Sequence, residues 1–216
     1  MIPEPVRVIK PGFDGGVADT QKLFVVAFDE GVTSGWCAMR IQLDALLEGG
    51  LRGVILRSPD PDVFAWSSGF FKGPEPWQAE LMLALVRGTW HHGEGEFGLG
   101  RDSDLLVVVG EAYKSRMIGD DATVLAPVRV QAMFRGLSWR EPWPFLRSPI
   151  PDAMATLPDA RLKAFNLWSG VAGKDGEHQR DATRYAAMTA RRCSDVGWLA
   201  ELESRMPWIS EKPKTK

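Results

Sequence analysis

Cysteine is scarce. Cys37 and Cys193 are the only two in 216 residues, too few for a disulfide framework or a thiolate metal centre, and they fit a reducing cytoplasm in which both are small buried apolar residues. Long apolar runs are also missing: no stretch reaches the roughly 20 residues that a spanning helix needs. The opening Met1-Ile-Pro-Glu-Pro lacks the basic start and unbroken apolar run of a signal peptide. Membrane insertion and secretion are therefore not expected, and the cytoplasm is the expected compartment. There is no excess of either charge sign, the formal net charge being −2, so a uniformly cationic coat is excluded while a local basic face is not. No repeat of 20–50 residues is visible, which excludes a solenoid.

What is present is an alternation of apolar runs and helical patterns. The first 22 residues, with their prolines and glycines, read as an arm, and the segment 209–216 as a flexible tail. Between them, 23–208 is expected to form one domain with an elaborated region over 41–100. Leu23-Phe-Val-Val-Ala-Phe28 predicts a strand buried on both faces. Gly31 and Gly35 bracket a predicted turn, and Trp36–Ile41 reads as the returning antiparallel strand. Gly53-Val-Ile-Leu-Arg57 predicts a third strand, closed by the proline-rich loop Ser58-Pro-Asp-Pro-Asp62. Trp77–Trp90 has apolar residues at helical spacing. Asp104-Leu-Leu-Val-Val-Val-Gly-Glu111 is a second buried strand, Val124–Trp139 a helix containing Pro127, and Pro144–Ser148 a short strand before a Pro149/Pro151 turn. Asp159–Trp168 and His178–Cys193 read as helices separated by the loop Ser169–Gly176. This order predicts an α/β fold: a mixed five-stranded sheet, three antiparallel strands then two parallel, with helices on both faces. If the Glu111 strand lies parallel beside the Asp29 strand, both carboxyl ends open at one edge.

Asp29 and Glu111 each end a buried strand. One such acid can simply begin a loop, but two at adjacent strand ends are harder to place. Carboxylates ~4 Å apart repel by roughly 4 kcal/mol at an effective dielectric of 20, so a site holding several binds a cation or raises a pKa, and a hard divalent metal suits oxygen donors. His178 and Asp181, three apart near a helix start, share one face. An acid there also complements the helix dipole, which does not explain the histidine. A His–acid pair of this kind can ligate metal, position a water or shuttle a proton.

The run Phe-Val-Val-Ala-Phe-Asp29-Glu-Gly-Val-Thr-Ser-Gly-Trp resembles the first strand and hairpin of ribonuclease H-like nucleases, in particular the RuvC-like Holliday junction resolvases, including those of bacteriophages. Leu-Leu-Val-Val-Val-Gly-Glu111 is similar to their fourth strand with its acid, and His178-Gln-Arg-Asp181-Ala resembles their last catalytic element. The resemblance covers roughly residues 23–192. It implies a ribonuclease H-like fold and a crossover junction endodeoxyribonuclease in which Asp29, Glu111, His178 and Asp181 hold two Mg²⁺ or Mn²⁺ ions for in-line attack on a phosphodiester. Branched DNA would be the partner, a homodimer the assembly, and the host cytoplasm the setting if the protein is phage-encoded. His178 stands where many resolvases carry an acid, and the 41–100 region is longer than a minimal domain of this kind.

Charge is unevenly spread. Residues 1–110 carry 9 Lys/Arg and 15 Asp/Glu, whereas 111–216 carry 17 and 13. Lys114 and Arg116 follow Glu111, and Lys174, Arg180 and Arg184 surround His178 and Asp181, so these five are the candidate DNA contacts, although any one of them would also suit a solvated face. Phe64, Trp66, Phe70 and Phe71 could stack on unpaired bases or pack into a core. His91, His92, Glu94 and Glu96 sit among glycines and read as a loop rather than a metal cluster. Two other readings stay open: a flap- or fork-specific nuclease, and an actin- or sugar-kinase-like ATPase with Asp29-Glu-Gly31-Val-Thr33-Ser-Gly35 as a phosphate loop.

Overall fold

The computed structural model describes residues 22–57, 60, 62–87, 105–111, 122–139, 141, 143, 145–148 and 150–204. Five strands, β1 (Lys22–Asp29), β2 (Thr33–Gln42), β3 (Phe64–Lys72), β4 (Leu105–Glu111) and β5 (Phe145–Ser148), form one sheet in the order β3-β2-β1-β4-β5. β1, β2 and β3 are antiparallel, and β4 and β5 run parallel to β1. This is the expected mixed five-stranded sheet, three antiparallel strands and then two parallel ones.

The two central strands are apolar on both faces because both are covered. Leu23, Val25 and Ala27 of β1, Cys37, Met39 and Ile41 of β2, and Leu105, Val107 and Val109 of β4 point to one side. They meet α6 (Gly173–Cys193), with α1 (Leu43–Arg57), α4 (Ile150–Thr156) and α5 (Asp159–Ala164) around it. Val26, Phe28, Trp36, Ala38 and Val108 point to the other side and pack on α2 (Glu75–Val86) and α3 (Ala122–Leu137). There Phe134 stacks on Trp143 and meets Phe28 edge-on. Each large side chain removed from water in this way contributes about 1.5–3 kcal/mol. A further helix, α7 (Val196–Ser204), follows α6.

Three expectations are corrected. Gly53–Arg57 is not a strand but the second half of α1, which is kinked at Gly50, where φ is 60° and a side chain would be strained. Leu43, Leu46, Leu51 and Val54 are the buried residues, and burial fades from Val54 to an exposed Leu56 instead of alternating with period 2. The third strand is β3, in the stretch whose aromatics could stack on bases or pack into a core. Phe64 and Trp66 pack against the α6-side core and Phe71 against the other, stacked on Trp36. Phe70 remains partly exposed beneath the Lys72 ammonium. Pro151, expected in a turn, lies in the first turn of α4, where proline is tolerated, and α6 begins at Gly173, inside the expected 169–176 loop.

The arm apart from Lys22, the tail, His91, His92, Glu94, Glu96, Lys114 and Arg116 lie outside the described residues. Among the described residues no helix is long and apolar enough to cross a membrane. Cys37 and Cys193 are buried free thiols, as expected, and burial pushes each up to about 12.

Candidate active site

The parallel ladder between β1 and β4 runs from Leu23↔Leu105 to Ala27↔Val109. Two residues further on, Asp29 and Glu111 end these neighbouring strands at one edge, as expected. Asp29 has the parity of Val25 and Ala27, and Glu111 that of Val107 and Val109, so both acids face α6. Both are buried, at 4% and 5% exposure.

The first turns of α6 bring the remaining partners. Gly35 pairs with Asp29 across the β1–β2 hairpin, and a Cβ at Gly35 would fall within 3.0 Å of the His178 carbonyl and the Gln179 nitrogen. The missing side chain lets the α6 backbone rest on β2 and sets His178 over Asp29, its Nδ1 2.5 Å from Asp29 Oδ2. Gln179 Nε2 anchors the same turn by donating to Ser68 Oγ at 2.9 Å. Gly35 thus lies within β2, beneath the first turns of α6.

The hydrogen bond and charge of Asp29 raise the His178 pKa against the opposing effect of burial. Asp181, one turn on, is raised by burial and then by the negative charge of Asp29, with Arg184 and His178 opposing. Beneath them lies the fully buried Tyr185. Its hydroxyl has no hydrogen-bond partner, and burial plus the charges of Asp29, Glu111, Asp181 and Glu30 hold it in the phenol form, well above its ordinary pKa.

The proposed cations divide. Lys174 is exposed at the start of α6. Arg180 is half-buried, donates to the Val171 carbonyl at 2.9 Å and covers the Trp168 ring. Arg184 departs from the expected role: it is 5% exposed and its guanidinium is used internally, on Asp181, on Asp159 and on the Leu157 carbonyl. It orients Asp181.

Glu30, read from sequence only as part of the turn, is 2% exposed. Following Asp29, it projects to the opposite side, where Oε2 accepts the Glu111 N–H at 3.0 Å and Oε1 accepts from Gln131 Nε2 at 3.1 Å. Burial pushes its carboxyl up to about 8. Partners 81 and 101 residues away leave no local trace in the sequence.

Among the described residues no three His, Cys, Asp or Glu side chains converge as a metal shell, because Asp29 turns to His178 and Asp181 to Arg184. The donor set is nonetheless of the right kind. Carboxylates and an imidazole suit a hard or borderline divalent ion, and the unpartnered Tyr185 hydroxyl among four acids leaves polar capacity for a further group.

Neither a protein-family model nor a curated protein sequence matches the chain. Among solved structures it is similar to T. thermophilus RuvC in complex with Holliday junction substrate, at 12% identity over 78% of this chain and 93% of that one, with a TM-score of 0.46. It is also similar to the yeast mitochondrial Holliday junction resolvase Ydc2, at 13% identity over 88% of this chain and 83% of that one, with a TM-score of 0.43.

Proposed function

We propose that the protein is a divalent-metal-dependent, structure-selective endodeoxyribonuclease acting on branched DNA such as a four-way junction. One observation carries this reading: Asp29 and Glu111 end adjacent parallel strands on one face, with His178 2.5 Å from Asp29 and Asp181 in the same electrostatic field. Asp29, Glu111, His178 and Asp181 would hold the metal. Bound there, Mg²⁺ or Mn²⁺ would make a water more acidic and take up charge on the leaving 3′ oxygen.

The chain's own residues do the rest. Asp29 fixes the His178 ring through Nδ1, and Nε2 would hold or pass a proton near neutral pH. Arg184 fixes the Asp181 carboxylate from inside the protein. Lys174 and Arg180 would meet phosphates and position the strand without reading its sequence. A homodimer would supply two such sites to a four-way junction.

With Mg²⁺ or Mn²⁺ the purified protein is expected to nick a labelled four-way junction. Asp29→Asn and Asp181→Asn should each lower cleavage by at least about 10²-fold while binding in a mobility-shift assay survives. Wild-type cleavage by both variants overturns the assignment. A parallel panel of flap, fork and duplex substrates sets the substrate preference.

A further inference from the structure

We infer that Glu30 and Gln131 form a clamp on the far side of the sheet that positions Glu111 for metal binding, an inference that rests on the nuclease reading above. The clamp holds both backbone polar groups of Glu111. Its N–H donates to Glu30 Oε2 at 3.0 Å, its carbonyl accepts from Gln131 Nε2 at 2.9 Å, and that same Nε2 lies 3.1 Å from Glu30 Oε1.

The sheet ladder alone does not supply this hold. The last residue of β4 paired with β1 is Val109, and Glu111 is paired on its other side with Ser148 of β5. At the point where β1 turns away, a side chain from the turn itself takes over. The fit is close, since a Cβ at Gly110 would come to 2.5 Å from Glu30 Oε1. Strand parity then sends the Glu111 side chain to the α6 face while the clamp stays on the α3 face. Glu30 and Gln131 thus fix the direction of a proposed ligand without touching metal or DNA. They are positioning residues.

Groups that orient a metal ligand typically change metal affinity or activity by about 10- to 100-fold when removed. The test compares the full-length wild type with Glu30→Ala, Glu30→Gln and Gln131→Met. Mn²⁺ binding is read by electron paramagnetic resonance without DNA, junction binding by mobility shift, and cleavage across a Mn²⁺ titration. Expected are a Mn²⁺ affinity about 10- to 100-fold weaker in Glu30→Ala and Gln131→Met, unchanged junction binding, cleavage restored by excess Mn²⁺, and partial recovery in Glu30→Gln. Gln131→Met leaves the Glu30–Glu111 bond in place and carries the test even where Glu30→Ala destabilises the fold. Wild-type Mn²⁺ affinity in both variants overturns the clamp. If Asp29→Asn also cleaves normally or the wild type binds no Mn²⁺, the nuclease reading fails instead.

Discussion

Asp29 and Glu30 are neighbours in the chain and serve opposite faces of the sheet. Asp29 faces α6, where it meets His178 and shares the electrostatic field of Asp181. Glu30 faces α3, where its oxygens are met by a backbone N–H and a buried amide. One face keeps polar capacity open, down to the unpartnered Tyr185 hydroxyl, and the other closes it with hydrogen bonds. A single step past the end of β1 is enough to separate the two tasks, because Asp29 keeps the strand's parity and Glu30, the first residue of the turn, goes the other way.

The strongest way to break this comparison is to add one methyl group to each face. At Gly35 the new Cβ would strike the α6 backbone at His178 and Gln179, which moves only if the helix moves. At Gly110 it would meet the ends of the Glu30, Phe145 and Gln131 side chains, which can shift. Overpacking typically costs about 1–3 kcal/mol and occasionally more. Gly35→Ala is therefore expected above that range and Gly110→Ala within it, by urea denaturation. Gly35→Ala should also abolish junction cleavage, because it lifts His178 off Asp29. Equal costs at the two positions would show that α6 is not seated through Gly35.

What the sequence disclosed, and what it hid, follows the same division. β1 and β4 are continuous apolar runs ending in acids, so their burial, parallel pairing and shared edge were all legible. His178 and Asp181 were legible because three residues in a helix make one face. Glu30 and Gln131 were not, since their meeting depends on a contact across 101 residues. Arg184 reads as a candidate DNA contact because its partners Asp159 and Leu157 lie 25 and 27 residues away in the chain. α1 was hidden by the β-branched look of Val54-Ile55, and β3 by its Ser67-Ser68-Gly69 centre, where pairing with β2 overrides a weak local preference.

Tyr185 sharpens the contrast with a smaller effect. A buried hydroxyl left without a partner costs about 1–3 kcal/mol, and removing it should relieve part of that cost. Tyr185→Phe is thus expected to leave metal-free stability unchanged or to raise it, with Mn²⁺-induced stabilisation falling at the same time. A clear loss of metal-free stability would mean that the α6 face is as closed as the α3 face.

The smallest effect is expected at the outer rim of the α3 face, where Arg129 grips Glu75 through two hydrogen bonds, at 2.6 and 2.8 Å, and ties α3 to α2. The geometry is bidentate, but both groups are open to solvent, so screening and side-chain ordering remove most of the Coulomb gain. Arg129 lowers the Glu75 pKa chiefly by hydrogen bonding. The pair's stabilisation is therefore present above the ordinary glutamate pKa and fades as pH falls through the lowered value. Glu75→Gln should remove that pH-dependent increment with a melting shift near the limit of detection, smaller still at high salt. A large shift would place the attachment of α3 in this partly exposed pair and not in the buried Gln131 contact.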